Sequence, residues 1–371
     1  MKLERLLITC GGTGGHFYPG LAIAKAMQKR GGLVKLLLAG NHAVAQSETA
    51  RSQGVDSIVL PPMPAPRKSP FTFASGAARG FAVCRKEMKT FAPQALLGMG
   101  SFTSLPAILA AKTGKVPLFL HDGNARIGRA NRIFSRLAVF LAGAFPADNQ
   151  GKIKCPVFIT GMPLREKLLA SLDGLDKTTA IAELNQLYGA DLSPDVPTIL
   201  IFGGSQGAAV FNAALPEGLL QLANSHIQVL HLTGKDKLDS TTASYQDAPF
   251  KRIIAETSER MELFFSAADM VFSRSGGSSI AELALFGKPA VLVPYPFAAE
   301  DHQRANARYF ADSDAGLLLD NYDLTPDRCR DLLADFLADP ALWQKRGQNA
   351  KALAAPRAAD DLLNKIEAFL T

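Results

Sequence analysis

Leu6-Leu7-Ile8-Thr9-Cys10-Gly11-Gly12-Thr13-Gly14-Gly15-His16 is an apolar run that breaks into a glycine-rich turn. Far downstream, Thr198-Ile199-Leu200-Ile201-Phe202 runs into Gly203-Gly204-Ser205-Gln206-Gly207 in the same manner. In both places the order implies a buried strand, a turn with little side-chain bulk, and then a helix. Such a turn lets backbone N–H groups approach an anion, and the following helix directs its positive end at the same point. Two of them predict two similar α/β domains facing one cleft, with polar or anionic groups held between them. One turn carries an ionisable side chain, His16, and the other has none. That asymmetry implies a binding half and a reacting half.

Outward from the first turn, Pro19-Gly20-Leu21-Ala22-Ile23-Ala24-Lys25-Ala26-Met27 has helical apolar spacing. Strand-like runs follow at 34–39, 57–60, 95–100 and 116–121. Beyond the second turn a helix is expected from about 207, with strands at 229–232, 270–272 and 290–293. Strands alternating with helices imply parallel sheets, with ligands at the carboxyl ends of the strands. Between 152 and 197 the pattern weakens and prolines punctuate it. The expected division is therefore 1–163 and 164–346, with a C-terminal helix over about 347–371 packing back on the first domain.

The chain has 371 residues, 47% of them hydrophobic, which suits two packed cores rather than one. No apolar stretch reaches the ~20 residues of a membrane span. Met1-Lys2-Leu3-Glu4-Arg5 leads straight into a strand, so no secretory leader is expected. Cys10, Cys84, Cys155 and Cys329 lack metal-ligand spacing and read as reduced cytoplasmic thiols. The net charge of +6 suits nucleic acid, an anionic membrane or phosphorylated substrates, and charge alone does not choose among them. Nucleic-acid binding has only that charge in its favour, because the basic residues are not concentrated with a recognised reading module. Lys68–Phe91 mixes Phe71, Phe73, Phe81 and Phe91 with Lys68, Arg79, Arg85, Lys86 and Lys89. That composition fits either an anionic membrane patch or a core-packed helix with a basic outer face.

His16 stands where strand hands over to helix and is the candidate proton acceptor. Ser273-Arg274-Ser275-Gly276-Gly277-Ser278-Ser279-Ile280-Ala281-Glu282 again brings small residues to a helix start. Glu282 follows Ser279 at capping-box spacing, so it either caps that helix or accepts two hydroxyl protons of a ribose. Asp301, His302 and Gln303 open a further helix and can bind several hydroxyl groups. The first turn is not G-x-G-x-x-G, and no acid ends the next strand, which argues against a nicotinamide dehydrogenase.

GGTGGHFYPG (11–20), HDGNARIGRANR (121–132), FGGSQGAAVFN (202–212), SRSGGSSIAE (273–282) and PYPFAAEDHQRANA (294–307) occur in this order. Together they resemble the MurG family, the UDP-N-acetylglucosamine transferases of peptidoglycan synthesis in glycosyltransferase family 28. The resemblance implies a GT-B fold with two Rossmann-like domains, the donor held mainly by the second. It implies transfer of GlcNAc from UDP-GlcNAc to undecaprenyl-linked lipid I, with inversion. His16 would be the catalytic base. Donor contacts would come from Thr13, Gly14, Gly15, Asn124, Arg165, Gly204, Ser205, Gln206, Ser258, Ser275, Gly276, Glu282, His302 and Gln303. Among these, Glu282 would hold the ribose, Ser205 the diphosphate, Gln303 and His302 the sugar hydroxyls, and the backbone near Ser258 the uracil. Gly12, Phe102 and Asp122 would face the acceptor, toward which Thr13, His16 and Asn124 also point. No tightly bound cofactor is implied, and nothing in the sequence requires a metal or other divalent ion. The cytoplasmic face of the bacterial inner membrane, an anionic surface met through 68–91, and cell-wall synthesis proteins are the implied surroundings.

The chain departs from the family at four places. His121-Asp122-Gly123-Asn124 stands where Glu and Gln are usual in the middle, and Ser101-Phe102 where Gly-Tyr is usual. Met162 replaces an Asn, and Thr257 an aromatic residue. These changes bear more on the acceptor than on the donor. They leave transfer to another lipid, such as diacylglycerol, or UDP-sugar sensing without catalysis, as the alternatives.

Overall fold

The structure is a computed structural model that describes residues 1–63, 70–204, 207–222 and 226–370. It divides into two compact units, Met1–Glu166 with Ala355–Thr371, and Lys167–Ala354.

The first unit holds a parallel sheet of β1 (Arg5–Gly11), β2 (Leu33–Ala39), β3 (Asp56–Val59), β4 (Ala95–Gly98), β5 (Leu118–Asp122), β6 (Phe140–Gly143) and β7 (Val157–Ile159). Its order is β3-β2-β1-β4-β5-β6-β7. Chain direction across the sheet reverses between β1 and β4, and a crevice opens at the carboxyl ends of strands flanking such a switch. The sheet is covered on both faces, which is why its strands read as unbroken apolar runs. Leu6, Ile8 and Cys10 face helix Gly14–Lys29 and the C-terminal Leu362, Leu363 and Ile366. Leu7, one residue out of phase, faces Leu37, Leu96, Ala107 and Ile108 on the other side. Truncating such a fully buried leucine costs about 2–5 kcal/mol.

The second unit repeats the plan with β8 (Thr198–Phe202), β9 (Gln228–Leu232), β10 (Lys251–Ala255), β11 (Met270–Ser273), β12 (Ala290–Leu292) and β13 (Gly316–Leu318). The order is β10-β9-β8-β11-β12-β13, again all parallel, with its switch between β8 and β11. Each glycine turn therefore follows the strand at its own sheet's switch.

Several expectations change. Strands β6, β7, β10 and β13 are additions to the sequence reading. They are three to five residues long, and β7 and β10 are edge strands that are only partly buried. The expected helix over 347–371 is two helices, Pro340–Ala352 in the second unit and Ala358–Ala368 in the first. Pro356 lies in the break, where it disfavours helical backbone in the residue before it.

The basic-aromatic segment forms helix Pro70–Thr90, and Lys68 lies outside the described residues. Cys84 and Met88 are buried, and Phe81, Val83 and Phe91 pack against the same core face as Leu7. Phe71, in contrast, is 90% exposed. Most of the helix's apolar side chains thus serve the core, while Arg79, Lys86 and Lys89 stay in solvent. Among the described residues no helix is long and apolar enough to cross a membrane.

Candidate active site

The carboxyl end of β1 turns through Gly12, whose N–H donates to the Ala39 carbonyl (2.9 Å), while Thr13 N–H returns to the Gly11 carbonyl (2.7 Å). Thr13 is the N-cap of helix Gly14–Lys29 without using its side chain, and Thr13, Gly14 and Gly15 are exposed. His16 is half-buried, and its Nδ1 lies 2.8 Å from the Gly11 carbonyl oxygen and 3.3 Å from Thr13 Oγ1. A carbonyl oxygen only accepts, so Nδ1 carries the proton and Nε2 presents its lone pair. Gly100, with φ of +100°, lies beside that nitrogen: a Cβ there would stand 3.1 Å from His16 Nε2. A glycine at 100 thus meets a left-handed backbone and keeps the imidazole edge open.

The neighbouring β5 ends in His121 and Asp122. Asp122 is 5% exposed, and both its oxygens are engaged. Oδ1 accepts from Asn124 N–H (3.2 Å) and the Asn124 amide (3.4 Å), and Oδ2 from Gly128 N–H (2.9 Å) and Asn131 Nδ2 (3.0 Å). Its carboxylate therefore organises the loop, and Gly128 and Asn131 meet the shorter acid at normal hydrogen-bond distance. Asn131 is buried and also donates to the His121 carbonyl (2.9 Å). Burial lowers the His121 pKa, and its Nε2 lies 3.3 Å from the Gly161 carbonyl oxygen. Met162 is buried with its methyl close to where a Cβ on Gly123 would sit (2.7 Å), so two departures from the family pattern pack on each other. Phe102 is partly exposed and meets Phe134 edge-on at 6.1 Å. The Arg165 guanidinium lies 5.6 Å from the Tyr18 ring centroid.

In the second unit, Ser205 and Gln206 lie outside the described residues. Gly204 and Gly207 bracket them with φ of +81° and +67°, and Gly207 N–H closes the turn on the Gly204 carbonyl (2.9 Å). Ser258 Oγ accepts from Arg260 N–H (3.0 Å).

After β11, helix Gly277–Phe286 has Gly276 as its N-cap. Ser279 is already helical, so Glu282 is not in a capping box; it stands more than a turn inside the helix, half-buried on one face with Ser278 and Ser279. Ser275 is fully buried. Its hydroxyl donates to the Gln303 carbonyl (2.8 Å), and its own carbonyl accepts from Asn306 (2.9 Å). Gln303 Oε1 accepts from Tyr295 N–H (2.9 Å), leaving Nε2 as the remaining donor. His302 opens helix His302–Asp312 with Nδ1 2.8 Å from the Ala299 carbonyl oxygen, the same device that sets His16.

Arg274 escaped the sequence reading, although its motif was noted. It donates to the carbonyls of Val293 (3.0 Å) and Pro294 (3.1 Å) and to Asn321 Oδ1 (2.8 Å), with Phe211 and Tyr295 against its guanidinium. Burial pulls its pKa below the ordinary value. Asn131 and Asn212 likewise lie within the recognised motifs, but only the folded contacts reveal their work. Among the described residues no three His, Cys, Asp or Glu side chains gather as a metal site would require.

Two parallel α/β sheets, each with a glycine turn at its switch, are the architecture of GT-B glycosyltransferases. The chain belongs to glycosyltransferase family 28, whose N-terminal domain matches residues 6–140 and whose C-terminal domain matches 198–362. It is 33% identical, over 98% of each chain, to the UDP-N-acetylglucosamine–N-acetylmuramyl-(pentapeptide) pyrophosphoryl-undecaprenol N-acetylglucosamine transferase of Halothermothrix orenii. The protein of the same name from Shewanella denitrificans is 34% identical over 94% of this chain and 93% of its own. Among solved structures, that of Acinetobacter baumannii MurG is 26% identical and superposes with a TM-score of 0.79, covering 99% of this chain and 100% of that one.

Proposed function

We propose that this protein transfers GlcNAc from UDP-GlcNAc to the 4-hydroxyl of MurNAc in undecaprenyl-pyrophosphoryl-MurNAc-pentapeptide, forming lipid II with inversion at the anomeric carbon. The observation that carries the reading is the fixed tautomer of His16, with Nδ1–H on the Gly11 carbonyl and Nε2 open beside Gly100. A base must accept the hydroxyl proton as the oxygen attacks, and a neutral imidazole with a preset lone pair does so without reorganising. Attack builds oxocarbenium character on the sugar and negative charge on the departing UDP. Arg165 and the helix start after Gly207 take up that charge. Glu282 holds the ribose hydroxyls, Gln303 Nε2 and His302 Nε2 read the sugar, and the backbone around Ser258 meets the uracil. Thr13, Gly14, Gly15 and Asn124 complete the donor contacts, and Gly12 and Phe102 face the acceptor. Asp122 acts by holding Asn124 rather than by touching substrate.

The protein works on the cytoplasmic face of the inner membrane. Support comes from the exposed Phe71 ring, the solvated cations of helix Pro70–Thr90, and a cationic recess of about 370 Å³ lined by Arg132, Ile133, Arg136, Lys152 and Lys154. The test of function is transfer of radiolabel from UDP-GlcNAc to a soluble lipid I analogue, with diacylglycerol as the parallel acceptor. Label in the disaccharide pyrophosphate product is expected. Label only in diacylglycerol, or donor binding without transfer, overturns the assignment.

A further inference from the structure

We propose that Tyr245, His231 and Asn212 form a buried positioning relay that sets the floor beneath two donor loops: the second glycine turn and the loop that follows β10. The proposal rests on the donor reading above and goes beyond it in naming residues that touch no substrate. Asn212, on helix Ala209–Leu220, donates through Nδ2 to the Thr233 carbonyl (3.0 Å). That bond fixes the amide, so its Oδ1 faces His231 Nε2 at 3.0 Å and must accept from it. His231 Nδ1 is then the unprotonated nitrogen, and it accepts from the Tyr245 hydroxyl at 2.9 Å. The hydrogen bonds run one way, from phenol to imidazole to amide to carbonyl. His231 and Tyr245 are fully buried; burial holds the imidazole pKa down to about 3 and pushes the phenol up, so the chain stays neutral in working conditions.

The relay ends at a point both loops share. Gly207 rests directly on Thr233: a Cβ at 207 would collide with the Thr233 carbonyl and stand 2.9 Å from Gly234 Cα. From the other side, Thr233 N–H donates to the Ala255 carbonyl (2.9 Å) and Gly234 N–H to the Glu256 carbonyl (2.9 Å). Asp236 N–H donates to Glu256 Oε1 (2.7 Å), two residues before Ser258. A shift of the Thr233 carbonyl thus displaces the diphosphate loop and the base loop together. Packing alone does not require the polar atoms. Tyr245 meets His231 and Phe250 edge-on, contacts that a phenylalanine ring would keep. A buried polar chain of this kind imposes one geometry, at a desolvation cost that an apolar core avoids.

Tyr245→Phe preserves ring volume and leaves His231 Nδ1 without a donor. With no hydroxyl to hold its other edge, the imidazole is freer to turn, and the bond that orients the Asn212 amide under the Thr233 carbonyl is loosened. The expected result is a rise of about tenfold in KM for UDP-GlcNAc, the equivalent of one lost buried hydrogen bond. The acceptor KM and the kcat at saturating donor should stay within about twofold, since this is uniform binding lost on one side. Asn212→Asp keeps the bond from His231 but cannot donate to Thr233, and should raise donor KM further still. Calorimetric titration of UDP-GlcNAc into the full-length protein and both variants, with steady-state KM values for donor and acceptor and thermal melts alongside, tests this. An unchanged donor affinity in Tyr245→Phe, or equal loss for donor and acceptor, overturns the relay. Failure of the unaltered protein to bind UDP-GlcNAc overturns the donor reading itself, and the relay's role with it.

Discussion

The two glycine turns occupy the same place in their sheets and are built differently. The first carries its chemistry in the turn: His16 bonds back to Gly11 within the same loop, and Thr13, Gly14 and Gly15 are exposed around it. The second has no ionisable residue, and its backbone rests on Thr233, held from below by Asn212, His231 and Tyr245. One loop presents a side chain, the other a shape. A proton acceptor needs an accessible lone pair in a fixed orientation, whereas a diphosphate loop needs N–H groups that stay in place. The difference teaches that duplicated architecture can fix a side chain in one loop and a backbone shape in the other; under the proposed function the first would serve the proton transfer and the second the diphosphate.

The largest effect that would break this comparison is expected at His16. His16→Ala should lower kcat by ~10²–10⁴ while UDP-GlcNAc affinity survives, as measured by steady-state transfer and calorimetry. Next comes Gly100→Ala. A Cβ beside Nε2 and a non-glycine residue at φ of +100° should displace the imidazole and cost roughly 10² in kcat. Donor KM should be little changed, because the second turn is untouched.

Glu282→Gln sharpens the other side of the comparison. If Glu282 holds the ribose as proposed, loss of its charge should cost about 2 kcal/mol, roughly 30-fold, and appear as weaker UDP binding.

Acidification should weaken the fold through its buried histidines. The folded-state pKa of His231 is about 3, well below that of an unfolded histidine, so the unfolded chain takes up the proton first as pH falls. Stability is complete above about pH 6.5 and declines toward pH 3 by up to about 1.4 kcal/mol per pH unit from this residue. His121, also lowered by burial, contributes with the same sign in the first unit. Melts between pH 7 and 4.5 should show the decline, and His231→Gln should flatten it in part.

The smallest effect concerns helix Pro70–Thr90. Phe71→Ser should leave the melting temperature unchanged and weaken sedimentation with anionic vesicles, in a salt-dependent manner. Phe81→Ser, in a ring that packs on the core, should lower the melting temperature instead.

Much of the fold was legible because both sheets are buried on two faces, so β1, β2, β8 and β11 appear as largely apolar runs that end in or lead into glycine or serine. The short edge strands were not, since β10 begins with Lys251-Arg252 and β7 follows Cys155-Pro156 in a stretch broken by prolines. Local motifs marked His16, Glu282 and Gln303 as candidates. They gave no sign of Asn131 holding Asp122, because spacing within a loop does not show which side chains meet, or of Thr233 beneath Gly207, because that contact joins residues of different elements. Nor did spacing alone decide between cap and ligand for Glu282; that required the observed helix start at Gly277.

The most direct test of the central claim pairs single-turnover transfer from UDP-GlcNAc to a lipid I analogue with equilibrium binding of UDP-GlcNAc, for the unaltered protein and His16→Ala. The account predicts that the variant binds the donor normally and scarcely transfers the sugar. Equal loss of binding and transfer would make His16 a structural part of the fold, and would contradict the division of labour between the two turns.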